Sequence, residues 1–88
     1  MQIDFIQLTN EWTAFSDVAE ISADATYFIQ NRGADYLIAL EAAETPDAEE
    51  QAGVIILPNE VAKYKKGSQN LYLRAFNRGC SINVTSEA

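Results

Sequence analysis

Leu71-Tyr72-Leu73-Arg74-Ala75-Phe76-Asn77-Arg78-Gly79-Cys80-Ser81-Ile82-Asn83-Val84-Thr85 is the stretch whose reading decides the fold. Leu71, Leu73 and Ala75 alternate with Tyr72, Arg74 and Phe76. After Asn77, Arg78 and Gly79, the residues Cys80, Ile82 and Val84 alternate with Ser81, Asn83 and Thr85. Period-two alternation places one set on a buried face and the other outside. A three-residue connection ending in glycine predicts a β-hairpin with Gly79 in the left-handed region. The same period carries outward into the rest of the chain.

Working back from this segment, short strands recur between turn signals. Gln2 to Leu8 changes parity between Phe5 and Ile6, which predicts a bulge or a passage between sheets. Trp12 to Ser16 reads as a second segment. Thr26 to Gln30 is a third, with Tyr27 and Ile29 on one side and Phe28 on the other. Asn31-Arg32-Gly33 turns the chain, and Asp35 to Ala43 follows as a fourth strand. Gly53 to Leu57 is an apolar run stopped by Pro58 and Asn59. Glu60 to Lys65 is an edge strand closed by Gly67. Eight short strands predict an all-β fold, a small antiparallel β-sandwich of the jelly-roll kind, in one domain over residues 1–88.

Glu41, Glu44, Thr45, Pro46, Asp47, Glu49 and Glu50 interrupt this pattern. Thr45 as cap, Pro46 at the first helical position and Gly53 as stop predict a short helix or an acidic loop near 45–52. The acids lack the ligand spacing of a calcium loop around a central glycine.

Composition bounds the chemistry. Six Lys and Arg stand against thirteen Asp and Glu in 88 residues, a net charge of −7, which argues against nucleic acid as partner. Lys63, Lys65 and Lys66 form the one basic cluster, an interface candidate as a docking patch for an acidic partner or, on the plainer reading, an edge strand guarded by lysines. There is no histidine, which removes Ser-His-Asp and Cys-His pairs and the usual zinc sets. With four glycines, no glycine-rich phosphate loop follows a strand. Cys80, the one cysteine, has inward parity and reads as a small core hydrophobe. The expectation is a protein that is no enzyme and uses no cofactor. No apolar run reaches the ~18 residues of a membrane span, and Asp4 without a cationic lead is unlike a secretory signal. The expected setting is soluble, made in a reducing cytosol.

The interface candidates follow from face and residue type. Tyr72, Arg74 and Phe76 share the outward parity, and Tyr64 lies on a nearby strand. Tyr, Phe and Arg are enriched at interface centres. The runs Leu37 to Leu40 and Val54 to Leu57 are apolar at both parities, which predicts either an outer face used in self-association or a face covered by a loop. Trp12 reads as a core plug.

The order Trp12, Phe28-Ile29-Gln30-Asn31 with Gly33, an acidic loop around Pro46-Asp47, Gly53 with Ile56-Leu57-Pro58, Lys66-Gly67, and Leu71-Tyr72-Leu73-Arg74-Ala75 before an alternating end resembles small β-sandwich virion proteins of tailed bacteriophages and prophages. The resemblance spans most of the chain and rests on scaffold features. It implies a capsid decoration or cement protein docking on the major capsid protein, with a virion location after synthesis in the bacterial host cytoplasm. It also implies self-association, a trimer being favoured. The alternative is a tail or fibre adaptor recognising a host glycan, with Trp12 and Asn10 or Tyr64 and Asn59, or another virion protein. A phage regulator of a host protein is a third reading. The resemblance brings no catalytic, metal or cofactor residue.

Overall fold

The computed structural model describes residues 3–18, 25–50, 52–65 and 69–87. In chain order these form β1 (Ile3–Thr9), β2 (Thr13–Ala14), a one-turn helix α1 (Phe15–Val18), β3 (Thr26–Asn31), β4 (Leu37–Ala42), β5 (Val54–Ile56), β6 (Val61–Lys65), β7 (Asn70–Ala75) and β8 (Gly79–Glu87). One sheet has the order β1-β8-β3-β6 and the other β2-β7-β4-β5. Every pairing is antiparallel. Eight strands interleaved in this way between two sheets make a jelly roll.

The strands at 71–75 and 80–85 therefore exist, but they are not a hairpin. β7 pairs with β2 and β4, while β8 pairs with β1 and β3 in the other sheet. The connection between them crosses from one layer to the other. Gly79 is not in the left-handed region; among the described residues the positive φ values belong to Gly53 (133°) and Asn59 (70°). At Gly53 a side chain would also collide with the Ala39 carbonyl oxygen, 2.5 Å from an added Cβ. That glycine lets the chain descend into β5 against β4.

Other expectations need correction. β1 pairs with β8 residue by residue from Ile3↔Thr85 to Thr9↔Gly79, so no bulge interrupts it. The segment at 12–16 is a two-residue strand running into α1, which tucks Phe15 into the core at 0% exposure. At 45–50 the second of the two expected forms is the one observed, an acidic loop with a turn closed by the Glu50 N–H donating to the Asp47 carbonyl (3.0 Å). Gly67 and Lys66 lie outside the described residues.

The inner faces meet in a core of Leu8, Phe15, Tyr27, Ile29, Leu37, Ile56, Leu71, Leu73, Ala75, Cys80, Ile82 and Val84. The parity predicted for β3 and β8 is the one observed. Each large side chain buried here stabilises the fold by about 1.5–3 kcal/mol. Phe15 meets Tyr27 edge-on at 5.6 Å and Tyr64 at 5.9 Å, closing the core between α1 and the β3–β6 pair.

The β2-β7-β4-β5 sheet is buried on its other face as well. Trp12, Ile38 and Tyr72 form a second cluster there with Ala14, Leu40 and Ala42. This explains the non-alternating run Leu37 to Leu40: Leu37 enters the main core and Ile38 the outer cluster, each at 0% exposure. The 43–50 loop folds back over this outer face as a strap. Among the described residues no helix is long and apolar enough to cross a membrane.

Candidate interaction site

Three features of the surface carry chemistry. The first is the strap. Arg74 Nη1 donates to the Ala48 carbonyl (2.8 Å) and Arg74 Nε to the Ala75 carbonyl (3.2 Å), while its guanidinium lies 5.7 Å from the Trp12 ring centre. Trp12 Nε1 donates to the Glu50 carbonyl (3.1 Å). A cation over an indole face and two donors to backbone carbonyls clamp the acidic loop against β7.

The expectation that Tyr72 and Arg74 present an open surface is thereby corrected. Their parity is indeed outward from the sandwich core, but the strap and Trp12 bury them to 5% exposure. Trp12 is buried too, which removes it from any glycan groove with Asn10. Asn10 instead donates through Nδ2 to the Asn77 carbonyl (3.2 Å).

The second feature is the end of the sandwich that the strap leaves open. Phe76 stays 41% exposed and Tyr36 45% exposed, with their ring centres 6.1 Å apart. The Phe76 N–H donates to the Tyr36 carbonyl (2.8 Å), which extends the β7–β4 pairing by one step. Asp35 organises this end. Its Oδ1 accepts the Tyr36 N–H (2.8 Å), and its Oδ2 accepts those of Asn77 (2.7 Å) and Arg78 (2.9 Å). Slight burial alone would push its carboxyl up. The three N–H donors and the Arg78 charge outweigh that and hold it below the ordinary aspartate value.

Beneath Asp35 sits Asn31, fully buried at the end of β3. Its Nδ2 donates to the carbonyls of Asp35 (2.8 Å) and Ile56 (2.9 Å). Its Oδ1 accepts the Gly33 N–H (2.9 Å) and the Cys80 thiol (2.8 Å). Two donors and two acceptor sites are all used. Burial, opposed by the Gly33 N–H and reinforced by the Asp35 charge, pushes the Cys80 thiol up, which suits its role as donor. Sequence reading took Asn31 for a turn residue; the i to i+2 bond to Gly33 is the local signal of that kind.

The third feature is the lateral edge where β5 and β6 end their sheets. Val54, Ile55, Leu57 and Val61 are exposed along it. Lys63 and Lys65 project from β6, as expected for a guarded edge. Tyr64 does not share their side: it is half-buried, packed on Phe15 and Tyr27. Burial first, then the nearby Glu41 and Tyr27, pushes its phenol up. A cleft of about 470 Å³ opens between the two edge strands, bounded by Leu40, Glu41, Val54, Lys63 and Tyr64.

These features bring Phe76 into an aromatic pair and Lys63 and Lys65 onto an apolar edge, while Tyr72, Arg74 and Tyr64 are packing residues. Lys66 lies outside the described residues. The chain matches no protein family, no curated protein and no solved structure. Among the described residues no group of three or more His, Cys, Asp or Glu could hold a metal ion.

Proposed function

We propose that this chain is a non-enzymatic structural protein of a bacteriophage virion, a capsid decoration or cement protein that docks on the major capsid protein. The observation that carries the reading is the Tyr36–Phe76 pair. Two large aromatics stand exposed on loops that Asp35 and Asn31 hold in place. A surface ordered in advance loses little freedom on binding, and exposed aromatics are the anchors protein interfaces favour. The jelly roll supplies a rigid platform for it, and Cys80 and Asp35 are committed to internal hydrogen bonds.

The test is a particle-binding assay beside mass spectrometry of purified particles. The native chain is expected in many copies per particle. Tyr36→Ser with Phe76→Ser should abolish incorporation while leaving the circular dichroism spectrum unchanged. A few copies per particle would favour the tail or fibre adaptor, and none the regulator. Incorporation that survives the double substitution would remove the aromatic pair from the contact.

A further inference from the structure

We infer that the cleft between β5 and β6 is a small-molecule site for an amphiphile with an apolar body and a cationic head, an alkylamine in chemical class. The strand registers show how the cleft arises. Leu37 pairs with Ile56, and Ala39 with Val54. Directly paired residues share a face. Leu37 and Ile56 lie in the main core, so Ala39 and Val54 face the opposite sheet as well. In that sheet Ile29 pairs with Ala62 and Tyr27 with Tyr64, which turns Ala62 and Tyr64 inward too. The layer between two stacked sheets is about 10 Å thick and is filled by side chains from both. Here it receives two alanines and the bare Gly53, and a cleft of about 470 Å³ is left between the sheets. Val54 shows the consequence: it faces the other sheet and is still 64% exposed.

The walls select the body of the ligand. Ile29, Ile56 and Leu71, all buried, form the floor, and Ala39, Val54 and Ala62 stand at the sides. Sites for small molecules run from about 300 to 1,000 Å³, with apolar walls and a few placed polar groups. An apolar chain seated here covers Val54 and the floor, surface that folding alone leaves in contact with water.

Glu41 selects the head. It pairs with Leu71 of the main core and so has inward parity, the one carboxylate on the lining of the cleft. It is exposed, and among the described residues no hydrogen bond or ion pair engages it. Its charge reaches Tyr64 across the cleft, where it adds to burial in keeping the phenol neutral. A carboxylate beside a neutral aromatic ring suits an ammonium, which the acid pairs and the ring face attracts. Lys63 is the other charged residue of the lining, but it pairs with Phe28 and has outward parity. A head group inside the cleft therefore meets the acid rather than the lysine.

This site lies on the lateral edge, away from the Tyr36–Phe76 end, so it stands or falls independently of the proposed docking. The experiment is calorimetric titration of the full chain with n-octylamine, n-octanol and n-octanoate, with thermal unfolding as the fold control. The native chain is expected to bind octylamine roughly tenfold more tightly than octanol, and octanoate more weakly still. Glu41→Gln, at an exposed position, should remove that advantage and leave octanol binding unchanged. Ala62→Leu should fill the cleft and abolish binding of both. Should Ala62→Leu unfold, methyl resonances of the native chain locate the site instead: those of Ala39, Val54 and Ala62 should shift with octylamine. No binding of octylamine at millimolar concentration would overturn the site. So would octanoate binding as tightly as octylamine, an affinity for octylamine indifferent to Glu41→Gln, or shifts that leave those three methyl-bearing residues untouched.

Discussion

The guanidinium of Arg74 lies 5.7 Å from the centre of the Trp12 ring, and both side chains donate to carbonyls of the same loop, at Ala48 and Glu50. An acidic segment is thus held over an apolar sheet face by groups that are themselves almost fully buried. Arg74→Met keeps the aliphatic packing but removes the cation and its donors. It should destabilise the domain by about 2–3 kcal/mol, the sum expected of one lost cation–π contact and two lost hydrogen bonds, to Ala48 and Ala75. Trp12→Ala should cost more, about 3 kcal/mol, because a cavity is added. Urea unfolding measures both, and amide exchange should quicken across residues 47–50. Unaltered exchange there would mean that the strap is held by something else.

How much of this was legible in sequence is best seen at β7 and β8. Alternation located both strands and their inward residues, Leu71, Leu73, Ile82 and Val84, because period-two burial is a local signal. Pairing is not local. Asn77 and Arg78 are turned by the carboxylate of Asp35, 42 and 43 residues earlier, and nothing in Asn-Arg-Gly separates such a crossing from a hairpin. A jelly roll puts its last two strands in different sheets, so the sandwich and the hairpin were incompatible expectations. The strap was equally hidden. Its acceptors are the backbone carbonyls of Ala48 and Glu50, which leave no mark in the residue types.

Asp35 makes the acid stability of the fold depend on one turn. Its carboxyl titrates below the ordinary value of 3.8 in the folded chain. A group depressed on folding contributes stability above its unfolded value, and loses it as pH falls through the folded one. The contribution of Asp35 should therefore be complete at neutral pH and fade below 3.8. In Asp35→Asn the midpoint of urea unfolding should fall at pH 7, since one oxygen replaces two, and the loss relative to the native chain should shrink toward pH 2. A constant difference across that range would show that the charge contributes nothing.

Asn31 admits a sharper test, because its amide uses every donor and acceptor it has. Asn31→Asp is nearly isosteric but sets an oxygen against the carbonyls of Asp35 and Ile56, which accept from Nδ2 in the native chain. The expected loss at pH 7 is about 3 kcal/mol or more, from two orphaned carbonyls and a buried charge. Cys80→Ala in the same network removes only one weak donor and should cost about 1 kcal/mol. In the native fold the raised thiol should react with an alkylating reagent far more slowly than in urea. Equal losses for the two substitutions would dissolve the network as a unit.

The outer face of the second sheet separates packing from docking within one strand. Tyr72 and Phe76 share parity on β7 and its extension, so alternation treats them alike. Tyr72 is 5% exposed beneath the strap, whereas Phe76 is 41% exposed beyond it. Tyr72→Ser should lower stability by about 3 kcal/mol, as large-to-small changes in a packed site do. Phe76→Ser should change it by no more than about 0.5 kcal/mol, the range of ordinary surface substitutions. Particle binding should order the two the other way: Phe76→Ser weakens it with the fold intact, and Tyr72→Ser weakens it only in proportion to the fraction unfolded. Thermal unfolding paired with the binding assay separates these effects. If Tyr72→Ser unfolds no more easily than Phe76→Ser, the strap is not a covering layer, and the surface available for docking extends across Tyr72 and Arg74 as well.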